Sequence, residues 1–177
     1  RHGWFATGDA MPHRLTGLRC LVLGGGGFIG THLCQALHVR GAEVKGFGRR
    51  RTYPDALRQV SWSTGEFSDP VALARAVEGN DVVFHLIGGS TPESSNRDPF
   101  GDLMGGAAAT IRLLDVCRSA GVGQIIFVSS GGTVYGVPLD TPIPESAPTD
   151  PISAYGVNKL TIEKYLHMYH HLYGVEY

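Results

Sequence analysis

The sequence predicts an α/β domain built on a doubly wound parallel sheet. Three observations carry this. Short apolar runs alternate along the chain with stretches of helical period. Those runs are apolar throughout, not at every second position, and a strand buried on both faces belongs in a parallel sheet covered by helices. The composition, 42% apolar and 18% charged over 177 residues, suits one packed domain.

The elements follow in order. Residues 19–23 (RCLVL) form a buried strand that runs into glycines. Residues 28–40 carry Phe28, Ile29, Leu33 and Leu37 at helical spacing, and Gly41 ends that helix. Residues 43–48 (EVKGFG) form a second strand and 60–63 a third. Asp69 and Pro70 open a helix to about Val77, as N-cap and first helical residue. Residues 81–87 (DVVFHLI) form an apolar strand, and 88–101 a polar loop with two prolines. A long helix over 102–120 ends at Gly121. Residues 124–130 (QIIFVSS) form another buried strand, 131–153 a Pro-rich loop, and 153–173 a helix ended by Gly174.

Residues 1–17 are polar, Gly-rich and aperiodic, and read as an irregular extension with Met11 as a start; the domain covers 18–177. A GWFATGD stretch at Gly3 matches a motif of adenylate-forming ligases, but it is too short to carry weight. A new strand begins near Tyr177, so the chain reads as a fragment.

Composition excludes several classes. Net charge is −1 and there is no basic block, so no nucleic-acid partner is expected. No apolar run is long enough for a membrane span. Cys20, Cys34 and Cys117 show neither metal spacing nor a disulfide framework, which fits the cytoplasm and no metal.

Gly24, Gly27 and Gly30 are spaced three apart between a strand and a helix. Glycine takes positive φ cheaply and lets a phosphate approach the backbone. The following helix offers free N–H groups and a partial positive charge, at Phe28 and Ile29. This is a dinucleotide phosphate site. The next strand ends in Gly48 and Arg49 where an acidic residue would bind an NAD ribose. An arginine pairs with a 2′-phosphate instead, which tilts NAD or NADP toward NADP.

Tyr155 and Lys159 share one helix face. A phenol titrates near 10 and is a poor base at neutral pH. A neighbouring ammonium stabilises the phenolate, giving a proton-transfer pair suited to work beside a nicotinamide.

With GGGGFIG at Gly24, DVVFHLIG at Asp81, FVSSGGTVYG at Phe127, PIPESAPTDP at Pro142 and SAYGVNKLTIEKY at Ser153, the chain resembles the NAD-dependent epimerase/dehydratase family. That family belongs to the extended short-chain dehydrogenases, and its UDP-glucose 4-epimerase-like members are the most similar. The resemblance implies a Rossmann fold whose C-terminal substrate domain is lacking here. It implies a nucleotide-sugar substrate, whose hydroxyl is oxidised and re-reduced with tightly bound NAD(P). Tyr155 and Lys159 are then catalytic and also touch the cofactor. Leu86, Ile87 and Gly88 lie along the cofactor, with Ser129. It further implies a homodimer through the helices over 102–120 and 153–173.

Three departures stand against the family pattern. The usual catalytic Ser or Thr position is Gly131, so Ser130 or Thr133 must substitute. The usual asparagine of the long middle helix is Gly106. The family's C-terminal half is absent, so this polypeptide is expected to bind cofactor without turnover. A dehydratase would need an acidic pair where Gly132 and Thr133 stand. Competing readings are another extended short-chain dehydrogenase, dehydratase or reductase, and a non-catalytic dinucleotide-binding module. His85 reads as a packed core histidine, and His167, His170 and His171 as helix surface rather than a metal face.

Overall fold

In a computed structural model, residues 15–177 are described, so Met11 and the GWFATGD stretch lie outside them. Five strands form one parallel sheet: β1 (Arg19–Leu23), β2 (Glu43–Gly48), β3 (Ser61–Thr64), β4 (Val82–His85) and β5 (Gln124–Phe127). Their spatial order is β3-β2-β1-β4-β5, with Leu21 opposite Lys45 on one side and Val83 on the other. The order reverses at β1, so the crevice between the carboxyl ends of β1 and β4 is the natural ligand position.

Strand burial divides the core into two faces. Leu21 and Leu23 of β1 enter a cluster with Phe47, Leu73, Val83, Leu113 and Ile125. Cys20 and Val22 enter a second cluster with Cys34, Leu37, Val44 and Leu57. The first lies under α2 (Pro70–Val77), α5 (Ala109–Ala120) and α6 (Ala154–Tyr173); the second lies under α1 (Phe28–Val39) and a 3-10 turn at Asp55–Leu57. Each fully buried Leu contributes about 2 kcal/mol. Leu15 and Leu18 also pack on the second cluster, so the packed unit takes in the turn before β1.

Helix ends follow the capping chemistry. Asp69 accepts from the N–H groups of Val71 and Ala72, and Pro70 needs no partner. Ser153 caps α6 through Gly156 N–H at 3.1 Å. α5 and α6 stop at Gly121 (φ 71°) and Gly174 (φ 70°), where the left-handed conformation suits glycine.

The expected loop over 88–101 is instead two short helices, α3 (Pro92–Arg97) and α4 (Pro99–Leu103). Both prolines sit at first helical positions behind capping residues, Thr91 and Asp98, and Thr91 forms a reciprocal capping box with Ser94. The long middle helix begins earlier than expected, at α4, and passes through a wide π turn at Met104–Ala108 before α5. Gly105 and Gly106 lie in that turn, and Thr110 donates its hydroxyl to the Gly106 carbonyl at 2.8 Å. β4 and β5 are shorter than expected, though single ladder bonds continue from Leu86 N–H to Leu23 and from Val128 N–H to His85. Beyond α6, Ile125 N–H donates to Glu176 at 2.8 Å, where a further strand was expected.

Candidate cofactor and active site

The turn from β1 into α1 is built for close approach. Gly24 takes φ 82°, and a Cβ there would stand 3.3 Å from Leu86 C and 3.4 Å from Ile87 N. The turns after β1 and β4 therefore touch across the switch point. A Cβ on Gly30 would lie 2.3 Å from Gly24 O, so that glycine serves helix–strand packing. A Cβ on Gly26 would lie 2.1 Å from Arg50 O, a requirement the motif spacing did not reveal. Gly27 is different: its Cβ would meet only Gly24 O, at 3.5 Å. Gly27 is also the N-cap of α1, which has no side-chain cap, so the helix end is open to an anion.

A cleft of about 730 Å³ runs along the carboxyl ends of the strands. Gly24, Gly27, Arg49, Leu86, Ile87, Gly88, Tyr155 and Lys159 line it together. Phe28, Ile29, Gly30, Ser129, Ser130 and Thr133 are not among its lining residues. Phe28 and Ile29 expose their side chains and bring backbone to the start of α1. Ser129 donates its hydroxyl to the Glu163 carboxylate of α6. Thr133 turns its hydroxyl to the Ser130 carbonyl at 3.3 Å. The 131–135 turn nevertheless packs against the first turn of α6, because a Cβ on Gly156 would stand 2.7 Å from Thr133 O. Gly131 and Gly106 both face open space.

Lys159 is buried, and its Nζ donates to Val128 O at 2.9 Å. It lies 4.6 Å over the Phe127 ring and 5.6 Å over that of Tyr155. Burial lowers its pKa, and the charge of Asp102 opposes that shift. His85 packs between Phe67 and Phe127, with Nε2 at 2.9 Å from the Thr110 hydroxyl. Since that hydroxyl donates to Gly106, the network assigns the proton to Nε2; Nδ1 is buried without a partner. Burial, then the Lys159 charge, holds His85 down to about 3. It is the packed core histidine expected. His170 and His167 contact Val175 O and the Tyr177 hydroxyl at the end of α6.

Motif reading missed Glu66 and Phe67 after β3, Ser90 and Ser95 around α3, and Asp102 and Asn158, all of which line the cleft. Asp102 accepts from Ser95 and Asn158, each at 2.6 Å. The Thr-Pro and Asp-Pro caps of α3 and α4 were the available signal.

The sequence model of the NAD dependent epimerase/dehydratase family matches residues 20–177. The UDP-glucose 4-epimerase of Mycolicibacterium smegmatis is 33% identical over 171 residues, covering 90% of this chain and 53% of that protein. The NAD complex of UDP-glucose 4-epimerase from Thermus thermophilus superposes with a TM-score of 0.82 at 31% identity, covering 89% of this chain and 52% of that one. The Thermotoga maritima UDP-glucose 4-epimerase with UDP-glucose gives 0.82 at 30% identity, covering 89% and 53%. The chain spans about half the length of the curated relatives it matches. No helix among the described residues is long and apolar enough to cross a membrane. With the family match spanning the sheet, the glycine turn and the Tyr155–Lys159 helix alike, the chain belongs to the NAD-dependent epimerase/dehydratase family.

Proposed function

We propose that the protein is the NAD-binding part of a nucleotide-sugar epimerase-type oxidoreductase, acting on a UDP-hexose. The observation that carries this reading is convergence: the glycine turn, the β4 end and the Tyr155–Lys159 pair line one cleft.

The residues fit a dinucleotide. The positive-φ Gly24, the open Gly27 and the uncapped start of α1 suit a pyrophosphate. Leu86, Ile87 and Gly88 would flank the nicotinamide half. Once bound, the cofactor supplies hydride acceptance and return. Tyr155 takes the proton of the sugar hydroxyl and hands it back to the carbonyl oxygen when the epimer forms. Lys159 favours the phenolate by its charge and offers N–H groups to the ribose. Thr133, packed against the first turn of α6, is our choice for the hydroxyl that Gly131 lacks, with Ser130 next. The NAD-bound relative makes NAD the first assignment; Arg49 and Arg50 add attraction for a 2′-phosphate. Phe100 and Leu103 on α4, Met104 at the start of the π turn and Val157 on α6 are exposed and support the homodimer reading. The free cysteines Cys20, Cys34 and Cys117 support a reducing, cytoplasmic setting.

A non-catalytic dinucleotide-binding module is the second reading, favoured by Gly131. Calorimetric titration with NAD and NADP, followed by a UDP-glucose epimerisation assay, separates the two. NAD binds under either reading, and under the first Tyr155→Phe removes about 10²–10⁴-fold of turnover in a chain that turns over. Binding without turnover at any length of chain would establish the second. No binding of either cofactor would overturn both.

A further inference from the structure

Asp102 sits one turn before Gly106, within reach of two other elements. Its Oδ2 accepts from the Ser95 hydroxyl of α3 and from the Asn158 amide of α6. Both donors are buried, at 1% and 8% exposure. Asn158 precedes Lys159, so the same carboxylate holds the backbone that carries the ammonium. Partial burial pushes the Asp102 carboxyl up, but hydrogen bonds from Ser90, Ser95 and Asn158, with the Lys159 charge, outweigh it and keep it below the ordinary value. A hydrogen-bonded anion therefore lines the same cleft as a buried cation.

The other titratable groups around Lys159 are differently occupied. From β4, His85 is neutral. On α6, Glu163 is bound to Ser129, and Tyr155 is the phenol itself. Asp98, on the same cleft, caps α4 through Gly101 N–H at 2.9 Å. Burial alone would drive Lys159 toward its neutral form. A neutral amine would no longer favour a phenolate beside it.

We propose that Asp102 is a positioning residue for the Tyr155–Lys159 pair, anchoring α6 through Asn158 and supplying the counter-charge to the Lys159 ammonium. This rests on the functional reading of that pair given above. Asp102 lies one helical turn before Gly106, and both line the same cleft.

Asp102→Asn separates the two roles. Ser95 and Asn158 both donate to one oxygen, so an amide oxygen can accept both while the charge is lost. The chain has three lysines, Lys45, Lys159 and Lys164, and their Cε signals can be followed by NMR in 13C-lysine protein. In Asp102→Asn, Lys159 should lose its proton at a pH lower by about one unit, with Lys45 and Lys164 unmoved. An unchanged Lys159 midpoint in the folded variant overturns the proposal. A second measurement needs no variant: the Asp102 carboxyl carbon of the native protein should shift at the Lys159 midpoint, and a flat signal there also overturns it. Failure to bind NAD would sink the functional reading yet leave both titrations standing. Unmoved titrations in a protein that binds NAD would sink only this assignment.

Discussion

The two ends of the sheet are built on opposite rules. At the amino ends of the strands, polar groups are paired. Arg19 on β1 grips Asp81 before β4 with contacts of 2.6 and 3.0 Å. Asn80 donates to the Ala76, Val77 and Glu78 carbonyls at 2.9, 2.9 and 3.2 Å, closing the end of α2. At the carboxyl ends, groups are left available. α1 starts without a side-chain cap, and glycines hold the backbone open. One end ties the strands together through exposed and buried side-chain pairs, and the other leaves backbone N–H groups and glycines facing the cleft.

The strongest way to break the comparison is within the glycine turn. Gly30→Val should cost more than about 4 kcal/mol, since its Cβ would lie 2.3 Å from Gly24 O, and chemical denaturation would read the loss. Gly27→Val should leave the melting temperature close to wild type, because Gly27 has φ −80° and ψ 178°, which valine adopts readily. That variant should nonetheless lose NAD binding, its side chain filling the phosphate position. If Gly27→Val bound NAD normally, the carboxyl end would be no more than a turn.

Acid sharpens the comparison next, because the two ends respond in different windows. His85 is held down to about 3 in the fold, against about 6.5 in an unfolded chain. Below pH 6.5 the unfolded state binds the extra proton, so stability falls with pH by up to about 1.4 kcal/mol per pH unit. His85→Gln should flatten the urea midpoint between pH 6.5 and 4.5; an equal slope would mean that other groups carry the loss.

The smallest effect belongs to the paired end. The Arg19 hydrogen bonds hold the Asp81 carboxyl down to about 2. Its contribution is present above the ordinary carboxylate range and is lost as pH falls toward 2. The pair is solvent-exposed, so Arg19→Ala should lower the melting temperature slightly at pH 7, less at pH 3 and scarcely below pH 2. A large loss at pH 7 would show that the amino end holds more of the fold than screening allows.

Local chemistry made most of the fold legible. β1, β2 and α2 fall where apolar runs and the Asp69-Pro70 cap put them. α3 and α4 were hidden because their prolines read as breakers, although Thr91 and Asp98 made them helix starts. The glycine turn and the Tyr155–Lys159 pair were legible because each is local in sequence. Asp102 was not, since its meaning comes from Ser95 and Asn158, which only the packing of α3, α4 and α6 brings to it. The expected hydroxyls of Ser130 and Thr133 depended on turn geometry that spacing alone does not carry.

Gly105, Gly106, Gly131 and Gly132 all face open space where a side chain would begin. No packing opposes a Ser at 131 or an Asn at 106, and none enforces glycine there. Those positions therefore tolerate a side chain in a way that Gly26 and Gly30 do not. The same backbone can carry side chains at 106 and 131 without displacing its neighbours.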